Sequence, residues 1–575
     1  MSLVEERAGV SGQRASRARV FRRVLAAIAV FGVAAGLFVC YLRLSATFPT
    51  GSDGASNALE AWDLLHGNWL LHGWTLTDVS FYTTELPEYA LVELAHGLHP
   101  DVVHIAAAIT YTLLVLAAAA LARGRARGGE GWARALIAAG IMLAPQLGNG
   151  VHVLLSQPDH VGTQVLLLAI FLLADRAPRR WYAVAAVWAL LTVAVVADEI
   201  ATVDAAAPLA LVGVLHAIRA SADGAGWRGR WFELSVAAAA CCAVGAAKLI
   251  IAVIGRLGGF VLLPVKTAVV TPGHVPGHLT MTLRDTLNLF GADVGVARPG
   301  PQTVYAWLHA PGIALAAAAF GLALWRLPRR EDLVSDVLAV GLAASLASFV
   351  VSSIPSTPFD TRELAAALPY GAVLAGRLFG PWLTGDRRRP ASRGRQSSYR
   401  GRESAAGGWR PWLRPGVAAL VFAGGCQLAA LGYEATRPAG ISPEQALAGW
   451  LAAHHLTTGL GTYTEDNITT LDSGGVVRML TVSWRTPSAG GTVARLYQSS
   501  ASWYDPRTAD ANFVATGTAD GVADLIPRAE IVALAGGPPA RTYRFESFTI
   551  LVWNENLLTR LGTPPSQTPG DIGHS

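Results

Sequence analysis

Apolar runs of about twenty residues recur along most of this chain, and each is long enough to cross a hydrocarbon core of ~30 Å. Length alone, 575 residues, would point to about three or four soluble domains. Composition overrules that reading: 52% of residues are hydrophobic and only 15% are charged, with a mean hydropathy of +0.38. The expectation is a polytopic α-helical membrane protein.

The basic balance, pI near 9.1, is not a nucleic-acid signal. The Arg residues fall in short clusters between apolar runs, where they set topology, and no basic stripe of the kind a nucleic-acid face needs is visible. Cys40, Cys241, Cys242 and Cys426 lie within or at the ends of apolar runs and behave as small apolar residues. Their spacing is neither a disulfide framework nor a metal motif.

Residues 1–23 are polar and Arg-rich, and the run 24–42 is too long for a signal-peptide core and lacks a small-x-small cleavage site. It reads as an uncleaved first span with a cytoplasmic N-terminus. Later runs then alternate, with RGRARGG, DRAPRR, WRGRW and RLPRRED on the cytoplasmic side and Lys/Arg-poor segments opposite. The Arg-rich stretch 384–415 reads as a flexible cytoplasmic loop. The spans number about eleven, over a transmembrane unit 24–432 with long outer loops at 43–101 and 255–303. From 433 to 575 the pattern becomes that of an extracytoplasmic α+β domain. SPEQALAGWLAAHH begins with a helix-start signal. NITTL, VVRMLTVSW, TVARLYQS, EIVALAG and RTYRFESFTILVW read as β-rich stretches between Gly-containing turns.

The first outer loop is the most informative stretch. Residues 49–93 carry Asp53, Glu60, Asp63, Asp78, Glu85, Glu88 and Glu93 among Trp62, Trp69, Trp74, Phe81 and Tyr82, with no Lys or Arg. A connection between spans needs only a few residues, and long loops of this composition are working surface. Asp53, flanked by Gly51 and Gly54, can accept a proton from an attacking hydroxyl or cap the helix that SDGASNALEAWDLL predicts. Glu60 and Asp63 share a face of that helix and are candidates for an acceptor or a metal, as are Asp159 and His160 in SQPDH. No His pair among His66, His72, His96, His99 and His104 has zinc-hydrolase spacing. Each charge deep in lipid costs about 2.5–3.5 kcal/mol, so Asp198, Glu199 and Asp204 either reach the outer interface or line a hydrated cavity, and a tight interfacial hairpin is the simpler reading. On the outer side, Lys266, His274, His278, Arg284 and Arg362 are rare cations. A guanidinium suits bidentate phosphate binding, so Arg362 and Lys266 are the phosphate candidates. The alternatives are snorkelling, or for Arg362 pairing with Asp360 or Glu363.

This combination resembles the GT-C class of membrane glycosyltransferases: a first span, a long acidic outer loop opening on Asp53, further spans, Arg362 then Pro369 at an outer span start, and a soluble C-terminal domain. It is similar to the protein mannosyltransferases, aminoarabinose transferases and arabinosyltransferases. The likeness covers roughly residues 20–435 by architecture and few positions specifically. Where family members often carry an Asp-Glu pair, this chain has Asp53-Gly54, and a second acidic pair is replaced by Asp159 beside His160.

The resemblance implies an enzyme of the plasma membrane that moves a sugar from a polyprenyl-phosphate donor to a cell-envelope glycan, lipid or protein on the extracytoplasmic face. It implies an inverting single displacement in which Asp53 is the base and Arg362, with Lys266, holds the departing phosphate. A divalent cation is compatible with these residues and not required by them. The outer domain's Trp484, Trp503, Tyr504 and Trp553 can stack on sugars or fill a small core. A non-enzymatic scaffold or glycan-binding component is the alternative reading. A transporter would show two similarly interrupted halves, which the spans lack.

Overall fold

The computed structural model describes residues 2–146, 149–177, 180–224, 226–264, 268–295, 300–329, 332–355, 358–384, 413–483, 493–494, 496–517 and 528–561. Lys266, Trp484 and most of the Arg-rich stretch 384–415 lie outside them.

The apolar runs are helices. In chain order these are α1 (Ser2–Ser45), then α2 (Ser52–Leu65), strand β1 (Trp74–Leu76) and α3 (Glu85–His96) in the segment that follows, then α4 (Asp101–Arg123), α5 (Gly128–Met142), the short α6 (Asn149–Leu155), α7 (Val161–Arg176) and α8 (Trp181–Ala197). A π-helical turn, Thr202–Ala206, leads into α9 (Ala207–Ala222), followed by α10 (Trp227–Arg256), strand β2 (Val261–Leu262), α11 (Val275–Leu289), α12 (Pro301–Arg326), α13 (Leu333–Val351), α14 (Ala367–Thr384) and α15 (Leu413–Glu434). Among the described residues, six helical segments are long and apolar enough to cross a membrane by length and composition: Val24–Ser45, Asp101–Arg123, Thr202–Ala222, Arg230–Arg256, Gln302–Arg329 and Leu333–Val351. The first presents Val24, Leu25, Ile28, Val30, Phe31 and Val33 outward, an apolar surface that belongs in lipid rather than water.

Two ends of the bundle differ in chemistry. At one, Trp132, Trp181, Trp227, Trp325 and Trp382 are exposed beside the Arg-containing connections, as an aromatic interface belt requires. There Arg377 is buried and ties four helices: it donates to Leu121 O (2.8 Å), Asp175 Oδ1 (3.0 Å) and Asp332 Oδ2 (2.8 Å). At the other end α2, α3 and β1 fold over the bundle around a core of Leu59, Leu71, Trp74, Leu86 and Tyr89.

The C-terminal residues form an α+β unit on that second end. Its elements are α16 (Pro443–Ala453), β3 (Thr458–Gly461), α17 (Tyr463–Asp472), β4 (Arg478–Ser483), β5 (Val493–Ala494), β6 (Ser499–Ser500), β7 (Phe513–Gly517), α18 (Arg528–Leu534), β8 (Arg541–Phe545) and β9 (Phe548–Val552). The expected helix start holds: Ser442 Oγ accepts from the Glu444 N–H that opens α16. The sheet runs β5-β4-β3-β7-β9-β8, with β3 parallel to both neighbours and β8–β9 a hairpin. Two expected β-rich stretches are helices instead. NITTL lies in α17 and EIVALAG in α18, because packing overrides the β preference of Thr, Ile and Val. The inner face of α17 is buried against α2, through Ile468 and Leu471.

The unit is stitched to the first long loop. β6 pairs antiparallel with β1, placing Trp74 opposite Ser500 and Thr75 opposite Ser499, and β2 pairs with β1 on its other side. Trp503 stands edge-on to Trp74 with centroids 5.0 Å apart.

Candidate active site

Asp53 is the second residue of α2, preceded by an extended Gly51 that makes no side-chain cap. Its carboxylate does not cap the helix but points to the chain segments above it. Arg362 Nη1 donates to Asp53 Oδ2 at 2.5 Å and the Tyr463 hydroxyl donates to Asp53 Oδ1 at 2.5 Å. Arg362 comes from the 3-10 turn Pro358–Leu364 that leads into α14, and Tyr463 opens α17 of the C-terminal unit. The pair is reachable: the Asp53 side chain is 22% exposed and that of Arg362 36%.

Burial pushes the Asp53 carboxyl up. The Arg362 charge and the hydrogen bonds from Tyr463, Arg362 and Gln157 outweigh that and hold it below the usual carboxylate range. Arg362 is raised in turn, burial opposing and Asp53 prevailing.

A lattice of amides extends the site. Gln157 Oε1 accepts from Gly54 N at 2.9 Å, and Gln157 Nε2 donates to Asp159 Oδ2 at 2.9 Å. Asn57 Nδ2 donates to Asp159 Oδ1 at 2.8 Å. Burial, then the Asp53 charge, push Asp159 up to about 7. Gly54 is required here by space. A Cβ would stand 2.8 Å from Val103 Cγ1 and 3.1 Å from Gln157 Oε1. The space beside Gly54 is filled by Val103 and Gln157.

Glu60 lies one turn on from Asn57, buried, with Oε1 lacking a hydrogen-bond partner among the described residues. Burial, then Asp159 and Asp53, raise it well above the ordinary range. Asp63, by contrast, does not join the group. It accepts from Asn68 Nδ2 (2.6 Å) and Trp74 Nε1 (2.7 Å), fixing the turn between α2 and β1.

His160 takes a left-handed backbone, φ 60°, uncommon without glycine. Its Nδ1 meets Asp198 Oδ2 at 2.8 Å and its Nε2 lies 3.4 Å from Glu363 Oε1. Burial lowers the imidazole, but Glu363 and Asp198 win and bring it up to about 10. Charged His160 therefore clamps the turn that carries Arg362. Asp198 is accordingly buried at the site rather than exposed in an interfacial hairpin, and Asp204 is buried in the π-helical turn, accepting from Gln164 Nε2 at 2.8 Å. Asp78, exposed, sits near the same clamp.

Of the residues singled out from the sequence, Asp53, Glu60, Asp159, His160 and Arg362 meet at this end of the bundle. Tyr463, Gln157 and Asn57 were not foreseen, and Glu363, expected as a possible partner of Arg362, faces His160 while Arg362 pairs with Asp53. Gln157 had a signal, lying two residues from Asp159, while Tyr463 had none. His104 bonds Ser45 Oγ at 2.9 Å and serves packing. Among the described residues no group of three or more His, Cys, Asp or Glu is placed to hold a metal ion.

No protein-family model matches the chain, and no curated protein matches it in sequence. Solved structures do match. The crystal structure of ArnT from Cupriavidus metallidurans in the apo state aligns over 94% of this chain and 99% of its own, at a TM-score of 0.51 and 14% identity. Weaker likenesses are the same protein bound to undecaprenyl phosphate (TM-score 0.48, 14% identity, 93% and 99% covered) and the Archaeoglobus fulgidus oligosaccharyltransferase with Zn and sulfate (TM-score 0.45, 11% identity, 85% and 68% covered). The chain is a polytopic helical membrane protein with the GT-C-type fold that ArnT has.

Proposed function

We propose that this chain is a membrane glycosyltransferase. It takes a sugar from a polyprenyl-phosphate donor and passes it to a hydroxyl of a cell-envelope acceptor on the extracytoplasmic face, with inversion at the anomeric carbon. The observation that carries the reading is the direct contact of Asp53 with Arg362 at the end of the bundle where the C-terminal unit sits. The chemistry needs an anion-holding cation and a proton acceptor within one substrate length of each other, and this contact supplies both.

As folded, the two groups neutralise each other, and an ion-paired carboxylate is a weak base. A donor phosphate arriving at Arg362 brings its own negative charge to the guanidinium. Asp53 Oδ2 is then released, its carboxyl rises towards the ordinary range, and it becomes a competent proton acceptor. The acceptor oxygen forms a bond to the anomeric carbon as the bond from that carbon to the phosphate oxygen breaks. The electron pair leaves with the phosphate, stabilised by Arg362, and the acceptor proton ends on Asp53. His160, pinned between Asp198 and Glu363, keeps the Arg362 turn in place throughout.

Orientation follows from the charge pattern, which puts the Arg-rich connections in the cytoplasm and the Asp53 site opposite. The test is transfer of labelled sugar from polyprenyl-phosphate donors in membranes containing the chain, with Asp53→Asn as control. Transfer that disappears in the variant at equal protein level supports the reading. Transfer that is unchanged removes Asp53 from the mechanism, and no transfer from any such donor favours the scaffold reading.

A further inference from the structure

The C-terminal unit reaches into the site. Tyr463, Thr464 and Asn467 of α17 meet Ser52, Asp53 and Ser56 on the first turn of α2. Ser52 Oγ donates to Thr464 O at 3.2 Å, and Asn467 Nδ2 donates to Ser56 Oγ at 2.7 Å and to Gln498 O at 3.0 Å. The Tyr463 ring stands edge-on to Tyr497, centroids 4.7 Å apart, and the Gln498 side chain lies against the same hydroxyl. Strand β6 follows at once and pairs with β1. The hydroxyl of Tyr463 is therefore placed by docking of the whole unit, not by one flexible side chain.

We propose that Tyr463 is a positioning residue for Asp53. Its hydroxyl holds Oδ1, so that Oδ2 alone exchanges between Arg362 and the acceptor hydroxyl, and the aim of the base depends on the seating of the C-terminal unit. The proposal rests on the transferase reading of this site and adds to it a role for residues 435–561.

The physical case is geometric. A carboxylate free to rotate offers either oxygen in several directions. One held at Oδ1 by a donor on a docked helix offers Oδ2 in one direction, which recovers part of the orientational cost of the reaction. The phenol is well suited to hold. Burial, then the Asp53 charge, push it well above its usual range, so it stays a donor. The other groups facing Asp53 are Arg362 from the 3-10 turn, Glu60 on its own helix, Asp159 from the segment after α6 and His152 on α6. The substitution removes none of these side chains.

Tyr463→Phe in the full-length protein keeps the ring against Tyr497 and removes only the hydroxyl. A hydrogen bond to the charged carboxylate is lost, so the acid limb of the kcat profile moves up by about one pH unit, and kcat falls by roughly tenfold. The donor KM stays near wild type, because Arg362 is untouched. An activity-independent measurement accompanies it. Isotope-edited infrared titration of the protonated carboxyl band, assigned to Asp53 by its loss in Asp53→Asn, moves up in Tyr463→Phe. If that band and the pH profile stay at their wild-type positions, the Tyr463 proposal is overturned while the Asp53 assignment stands. If Asp53→Asn transfers sugar like wild type, the transferase reading of the site falls, and the infrared shift alone decides whether Tyr463 holds the carboxylate.

Discussion

The guanidinium of Arg362 donates to the carboxylate of Asp53 across 309 residues of chain at 2.5 Å. Replacing Arg362 with Gln leaves the carboxyl with burial's upward push and without its cation. In wild type Asp53 lies below its ordinary range, so its contribution to stability is present above that range and is lost as pH falls through the lowered value. In the variant the carboxyl moves up, so this acid-side loss shrinks, and thermal unfolding followed across the acid range reports the flatter slope. Asp53→Asn with Arg362→Gln costs less than the sum of the single changes, as expected for a contacting pair.

On the proposed mechanism, sugar transfer is expected to be most sensitive to Asp53. Its replacement by Asn removes the proton acceptor and lowers the rate by about 10²–10⁴-fold. Arg362→Lys keeps charge but loses the planar fork. It raises the donor KM more than it lowers kcat, a split read from steady-state assays.

The His160 clamp has the opposite pH sense. Its imidazole is raised from 6.5 to about 10, so its stabilisation is complete below about 6.5 and is lost as pH rises through about 10. The melting temperature of the detergent-solubilised protein falls over that interval. His160→Gln flattens the slope and weakens transfer through the Arg362 turn, and an unchanged slope would remove His160 from the clamp.

Gly54→Ala puts a methyl 2.8 Å from Val103 Cγ1. Overpacking of this kind costs about 1–3 kcal/mol and displaces Gln157 from Asp159. Val103→Ala in the same chain restores much of the loss, measurable as recovery of the thermal midpoint.

At the Arg-rich end, Arg377→Met leaves Asp175 and Asp332 without their shared cation. Breaking a buried pair from one side costs about 3–5 kcal/mol. The variant has a lower thermal midpoint but, where folded, an unaltered pH profile for transfer, since Arg377 lies at the opposite end from Asp53.

Much of this was legible in the residues. A helix stands on each apolar run, because twenty consecutive apolar residues leave the backbone few other ways to satisfy itself. Asp53 and Arg362 could be selected because one is a glycine-flanked carboxylate opening a cation-free acidic outer loop and the other a rare outer-side cation whose guanidinium suits a phosphate. In the C-terminal unit the helix of SPEQALAGWLAAHH and the β character of RTYRFESFTILVW were also legible. NITTL and EIVALAG were not, since their β preference yields to the surfaces they pack on.

Sequence by itself determined the solvent this chain lives in, the order of its apolar helices and the kinds of side chain available for chemistry. Those follow from local composition, which acts wherever the residue stands. Only the tertiary structure decided which groups meet. It joined Asp53 to Arg362 and to Tyr463, turned Asp63 away to Trp74, and folded Asp198 inward onto His160. Contacts across hundreds of residues depend on how helices dock and which surface each buries, and no local pattern encodes that.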